Sequence, residues 1–152
     1  MFYIKETLDA LAQAKKDGLA KNIGVSNFTV ALLDEAVAKC PEPLLTNQIE
    51  YHAYIRQDKV MATCRKHGLL ISCHVPLARG AVVKDPVLRE IAKSYDKTAA
   101  QIALKWLVQQ PGTVVVPRAR GLGDQRAVAA RAGVGVARLA LKVVAAVARA
   151  AV

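Results

Sequence analysis

No stretch of this sequence reaches the roughly 18 to 20 uncharged apolar residues that a membrane-spanning helix needs. The most apolar region, near the C-terminus, is interrupted by Lys142 and Arg149. The N-terminus, MFYIKETLDA, lacks an apolar segment behind a basic start and runs directly into an amphipathic pattern, so no export signal is expected. Cysteine is sparse: Cys40, Cys64 and Cys73 are odd in number and show no C-x-x-C spacing, which argues against a disulfide framework and against a metal site. A cytoplasmic, reducing location is the expectation. Catalytic pairing is also missing. Tyr51, His52 and Tyr54 have no lysine or carboxylate at a spacing that would activate them, so they read as loop residues, and no catalytic residue is assigned.

The 152 residues suit one domain with a real core. The formal net charge is +10. Residues 1–120 carry 17 Lys/Arg against 11 Asp/Glu, and residues 121–152 carry 5 against 1. In the longer part the basic side chains are scattered through helical segments among acids. That pattern means solvated faces rather than a phosphate track, so neither nucleic acid nor a membrane is an expected partner.

From residue 5 to 117 helical and strand patterns alternate with short punctuation, which is the grammar of an α/β fold. ETLDALAQAKKDG predicts a helix with Leu8, Leu11 and Ala12 on one face and Gly18 as its stop. KNIGVSN is a short strand, and Thr29 can cap the helix that follows. LLTNQIE is a second strand, a helix covers about 57–67, and LLISCHVP is a third strand of nearly continuous apolar type. Asp85-Pro86 starts another helix, with Leu88, Ile91, Ala92 and Tyr95 on one side. Thr98 and Gln101 have the spacing of a capping box for a helix that runs to Pro111-Gly112, and TVVVP is the fourth strand. Helices between strands predict parallel neighbours joined by right-handed crossovers.

In such a fold, ligand-binding side chains belong at the carboxyl ends of the strands. Ser26-Asn27, Asn47-Gln48, Glu50-Tyr51-His52, His74-Val75-Pro76 and Pro117-Arg118 all fall there. Ser, Asn and Gln suit a planar carboxamide, His74 offers a flat ring, and Arg79 and Arg118 offer charge for phosphate. Together they fit a pyridine nucleotide. Each also has a plainer reading: Ser26-Asn27 as a helix cap, Gln48 as a partner of a neighbouring backbone group, and His74 as a core histidine.

The stretches GLAKNIGVSNF, TNQIEYHAY, VPLARG and AAQIALKWLVQQPGTVVVPRA resemble, in this order, the C-terminal half of the aldo-keto reductase superfamily, over about residues 5 to 119. The nearest resemblance is to bacterial members of the 2,5-diketo-D-gluconate reductase type. It implies part of a TIM (β/α)8 barrel, about four βα units, and NADPH-dependent reduction of a small carbonyl substrate, with no metal. It further implies that Ser26, Asn27 and Gln48 hold the nicotinamide carboxamide. His74 would stand where the family has a stacking aromatic, and there a smaller ring should weaken binding. Val75 and Leu77 would line the pyrophosphate, with Arg79 in the loop beyond, and Arg118 would meet the 2′-phosphate. The family's Asp-Tyr-Lys-His tetrad has no match, being expected before residue 1, so the chain is expected to be truncated and inactive.

The pattern changes at about Arg118-Ala119. In residues 121–152, 26 are Ala, Val, Arg or Gly, and the segment reads as an atypical tail of reading-frame origin over 120–152. Arg131, Arg138, Lys142 and Arg149 fall within about 20° of one line on a helix. The alternative function is therefore a non-catalytic half-barrel that acts through self-association at open strand edges, or through this basic tail on an anionic surface.

Overall fold

The computed structural model describes residues 4–117. Its helices are α1 (Ile4–Lys16), α2 (Val30–Lys39), α3 (Asp58–Lys66), a single turn α4 (Ala81–Lys84), α5 (Pro86–Lys93) and α6 (Ala99–Val108). The strands are β1 (Ile23–Ser26), β2 (Leu44–Glu50), β3 (Leu70–His74) and β4 (Thr113–Val115), hydrogen-bonded in chain order as one sheet. Two compact units divide the described residues, 4–49 with 57–72 and 50–56 with 73–117.

In the first unit α1 ends where the sequence predicts. Gly18 takes φ 74°, and the Leu19 amide donates to the Ala14 carbonyl at 3.0 Å, closing the last turn with a residue that carries no Cβ penalty in that conformation. β1 and β2 are parallel and place Ser26 opposite Gln48. Between them Gly24 is required by space: a Cβ there would lie 2.7 Å from both the Cγ2 and the carbonyl oxygen of Thr46. Thr29 caps α2, accepting from the Leu32 amide. The core gathers Leu8, Ala12, Ile23, Leu33, Ala36, Met61 and Ile71, the apolar faces that helical and strand periodicity mark out.

The second unit is built around α5 and α6. Asp85 caps α5 through its Oδ1, which accepts from the Leu88 amide at 2.9 Å, and Pro86 opens the helix where its missing N–H costs nothing. The capping box of α6 is formed in full: the Thr98 amide donates to Gln101 Oε1 at 2.8 Å and the Gln101 amide to Thr98 Oγ1 at 3.2 Å. Val82, Leu88, Ile102, Ala103 and Leu107 form the buried centre. β3 stops at His74 rather than continuing through Val75-Pro76. From there the chain breaks into tight turns, including a 3-10 turn at Ala78–Gly80, before α4 begins.

Candidate functional site

At the carboxyl end of β1, three side chains named from the sequence are joined to one another. Ser26 Oγ and the Asn27 amide both donate to the Gln48 carbonyl, at 3.2 and 2.8 Å, and Asn27 Nδ2 donates to Ser26 Oγ at 3.2 Å. Gln48 Nε2 donates in turn to Ser72 Oγ at 3.3 Å. The backbone turns sharply at Asn27, whose φ of 59° lies in the left-handed region that asparagine tolerates better than most residues. Thr29, and neither Ser26 nor Asn27, caps α2, so the capping reading of this pair does not apply. The side chains of Ser26 and Asn27 are exposed. Among the described residues, Asn27 Oδ1 and Gln48 Oε1 accept no hydrogen bond.

Asn47 stands behind this cluster; the sequence names it beside Gln48 but gives it no role of its own. Its side chain is fully buried, at 0% exposure. Its Oδ1 accepts from the Phe28 amide at 3.3 Å and its Nδ2 donates to the Phe28 carbonyl at 3.1 Å, so one amide brackets one peptide unit from both sides. The available signal was an asparagine two residues before the apolar Ile49, on the same side of the strand. A polar residue at such a place needs partners, and here they fix the turn that carries Ser26 and Asn27.

In the second unit His74 ends β3 with its side chain exposed, so it is not a core histidine. Its carbonyl accepts from the Tyr51 amide at 3.2 Å. Beyond it Val75, Ala78 and Arg79 have φ of 51°, 48° and 52°. Each such non-glycine conformation costs on the order of 1–3 kcal/mol, most for the β-branched Val75. The turns are held by the Ala78 amide on the Val75 carbonyl (2.9 Å) and the Gly80 amide on the Leu77 carbonyl (2.8 Å). Arg79 is exposed and Leu77 half-buried. Arg118 and the tail from 120 to 152 lie outside the described residues.

The loop residues 51–54 have structural partners. Tyr54 donates its hydroxyl to Asp85 Oδ2 at 2.9 Å. Burial, and then the Asp85 carboxylate, push its phenol well above the usual range, so it does not give up its proton near neutrality. The Tyr54 amide donates to His52 Nδ1 at 3.3 Å, which places the ring proton on Nε2, 3.1 Å from Glu50 Oε1. Tyr51 packs against Trp106 with ring centroids 5.7 Å apart. Burial raises the Cys73 thiol to about 11 and also raises Cys64, which suits inert core thiols. Among the described residues no group of His, Cys, Asp and Glu could hold a metal ion, and no helix is long and apolar enough to cross a membrane.

Comparison with known proteins gives this geometry its context. The sequence matches the Aldo/keto reductase family over residues 1–132. Methylglyoxal reductase DkgB of Escherichia coli O157:H7 is 40% identical over 115 residues, which are 75% of this chain and 43% of that protein. Glyoxal reductase of Bacillus subtilis (strain 168) is 34% identical over 114 residues, 75% of this chain and 41% of its own. The chain thus spans less than half the length of these curated relatives. Among solved structures, the thermostable aldo-keto reductase Tm1743 superposes with a TM-score of 0.86 at 31% identity, covering 95% of this chain and 55% of that one. A Gox0644 variant in complex with NADPH gives 0.84 at 29% identity, over 93% and 52%. The parallel α/β sheet described above is accordingly part of a TIM-type barrel.

Proposed function

Because this chain belongs to the aldo/keto reductase family, we propose that it carries the cofactor-binding part of an NADPH-dependent carbonyl reductase and does not turn over substrate by itself. The observation that supports this most directly is the Ser26, Asn27 and Gln48 cluster. A carboxamide presents one acceptor and two donors in a plane. Asn27 Nδ2, with one of its two protons on Ser26 Oγ, can donate the other to its oxygen, and Asn27 Oδ1 and Gln48 Oε1, unused within the described residues, can accept from its nitrogen. The residues therefore fit the group.

By resemblance, His74 would offer its exposed ring to the nicotinamide face, Val75 and Leu77 would line the pyrophosphate, and Arg79 and Arg118 would meet phosphate charge. When bound, NADPH supplies the hydride that reduces a carbonyl to an alcohol. The chain's own part is to bind and orient. Among the described residues Tyr54 does not supply the proton for the carbonyl oxygen, because its hydroxyl donates to Asp85 and burial holds its phenol well above the usual range. Positioned proton transfer contributes about 10² to 10⁴-fold. The substrate class proposed is a small aldehyde or ketone, as the reductase names of the relatives suggest.

Fluorescence titration of the 152-residue chain with NADPH tests the reading. Saturable binding is expected, weakened by Gln48→Ala, with no NADPH oxidation when methylglyoxal is added. Absence of binding refutes the cofactor role. Steady oxidation by the chain alone refutes the claim that it needs further residues. Co-expression with the N-terminal half of a relative should restore oxidation.

A further inference from the structure

Within the second unit, the end of α4, the outer face of α5 and the start of α6 line an open surface depression of about 540 Å³, in which Lys84, Arg89, Lys93 and Lys97 are exposed. No carboxylate lines it. Arg89 and Lys93 are one helical turn apart, about 6 Å along the axis, and like charges at that spacing repel. The usual relief is an ion pair, and this chain uses it elsewhere: Lys5, Lys15, Lys39 and Lys66 each lie within 4.0 Å of an acid. Among the described residues none of the four cations of the depression does; Lys97 Nζ rests only on the Asp96 carbonyl, at 2.9 Å. Glu90, three residues before Lys93 on the same helix, does not pair with it. Among the described residues of the first unit, Lys5, Lys15, Lys39 and Lys66 are paired while Lys16, Lys21, Lys59 and Arg65 are not; what sets the second-unit group apart is that four unpaired cations line one depression with no carboxylate among them.

The floor adds directed donors. Thr98 and Ala99 reach the depression at the N-terminus of the ten-residue α6. The capping box occupies the Thr98 and Gln101 amides. The Ala99 and Ala100 amides of the first turn have no intrahelical acceptor, and they point along the positive end of the helix dipole.

We propose that this depression is an anion site for a compact diphosphate group, separate from the residues that resemblance assigns to NADPH. Two phosphoryl groups match the one-turn separation of Arg89 and Lys93, with Lys84 and Lys97 flanking and the α6 terminus beneath. The proposal does not depend on the cofactor reading, because none of its residues belongs to that set.

Isothermal titration of the full chain with inorganic pyrophosphate at low salt provides the test. One saturable site is expected, weaker at high salt, and weakened ~tenfold or more by Arg89→Glu with Lys93→Glu, since two charge-assisted contacts are lost. The control pair Lys16→Glu with Lys21→Glu changes net charge equally on exposed residues of the first unit and should leave the affinity within about twofold. If the reversed pair does not fold, as judged by far-UV circular dichroism, Arg89→Gln with Lys93→Gln replaces it. Equal weakening by the control pair overturns the proposal, as does absence of saturable binding. Competitive displacement of pyrophosphate by NADPH, with the Arg89 and Lys93 variant unaffected, would assign the anion to the nucleotide site and also overturn it.

Discussion

Replacing Asn47 by alanine should loosen the β1 turn without unfolding the protein, and the size of the effect follows from its contacts. The side chain is fully buried and makes two hydrogen bonds, at 3.3 and 3.1 Å, to the two polar groups of Phe28. Removal leaves an N–H and a C=O without partners. A buried unsatisfied group costs about 1–3 kcal/mol. Phe28 is only half-buried, so water can reach part of the deficit and the lower half of that range applies. A loss of about 2–4 kcal/mol in stability is expected, about 1–2 for each of the two groups, against the roughly 5–15 kcal/mol of an ordinary domain. Urea unfolding followed by far-UV circular dichroism measures it. Trp106, the chain's single tryptophan, lies in the second unit and gives a separate fluorescence signal there. Because Phe28 follows Ser26 and Asn27 directly, the variant should also lose affinity for NADPH while keeping its affinity for 2′,5′-ADP, which has no nicotinamide. A destabilisation below about 1 kcal/mol, or equal weakening of both ligands, would refute the positioning role.

His74→Tyr should tighten NADPH about two- to tenfold, the range that an aromatic contact of 0.5–1.5 kcal/mol supplies; fluorescence titration that finds no tightening counts against stacking at this position. Gly24→Ala should destabilise the chain by about 1–3 kcal/mol through overpacking, and adding Thr46→Ala should recover only part, because the Cγ2 contact is relieved while the carbonyl oxygen at 2.7 Å remains; full recovery in urea melts would show that the backbone contact is harmless. Native labelling with a thiol reagent at pH 8 should modify Cys40 alone, since Cys64 and Cys73 are buried and Cys73, near 11, is almost wholly protonated there; fast labelling of all three would contradict the packing. The Asp34 carboxyl is held below its ordinary 3.8, first by the hydrogen bond to His67 and then by that to Lys66. A depressed acid contributes stability above its unfolded pKa and loses it as pH falls through the folded one. His67→Ala should therefore move the Asp34 titration, followed by NMR, upward toward 3.8, and an unchanged value would dismiss the pair.

What the sequence made legible was mostly local. Asp85-Pro86 and the Thr98 and Gln101 pair name their own helix starts because donor and acceptor lie three residues apart. Gly18 names a helix end for the same reason. The strand ends carrying Ser26, Asn27, Gln48 and His74 were legible because apolar runs stop there. The bracket from Asn47 to Phe28 was not, since its partners are 19 residues apart and nothing in either segment announces the other. The turns from Val75 to Gly80 were equally hidden: left-handed valine, alanine and arginine run against local preference, so a reading by preference extends β3 too far. The cations of the depression were legible singly and misleading together. Whether Lys93 has a partner depends on where Glu90 sits, and spacing alone would have paired them.

The Asp85 carboxylate is shared, with Oδ1 capping α5 and Oδ2 holding a tyrosine 31 residues earlier in the chain. A cap is normally a local device, available as soon as its helix begins to wind. Here its rigidity depends on closing a long loop, whose entropic cost grows only slowly with length. The start of α5 and the Glu50–Arg56 segment therefore order in concert. The Leu88 amide, on the helix itself, becomes a hydrogen-exchange reporter on a stretch of chain it never touches.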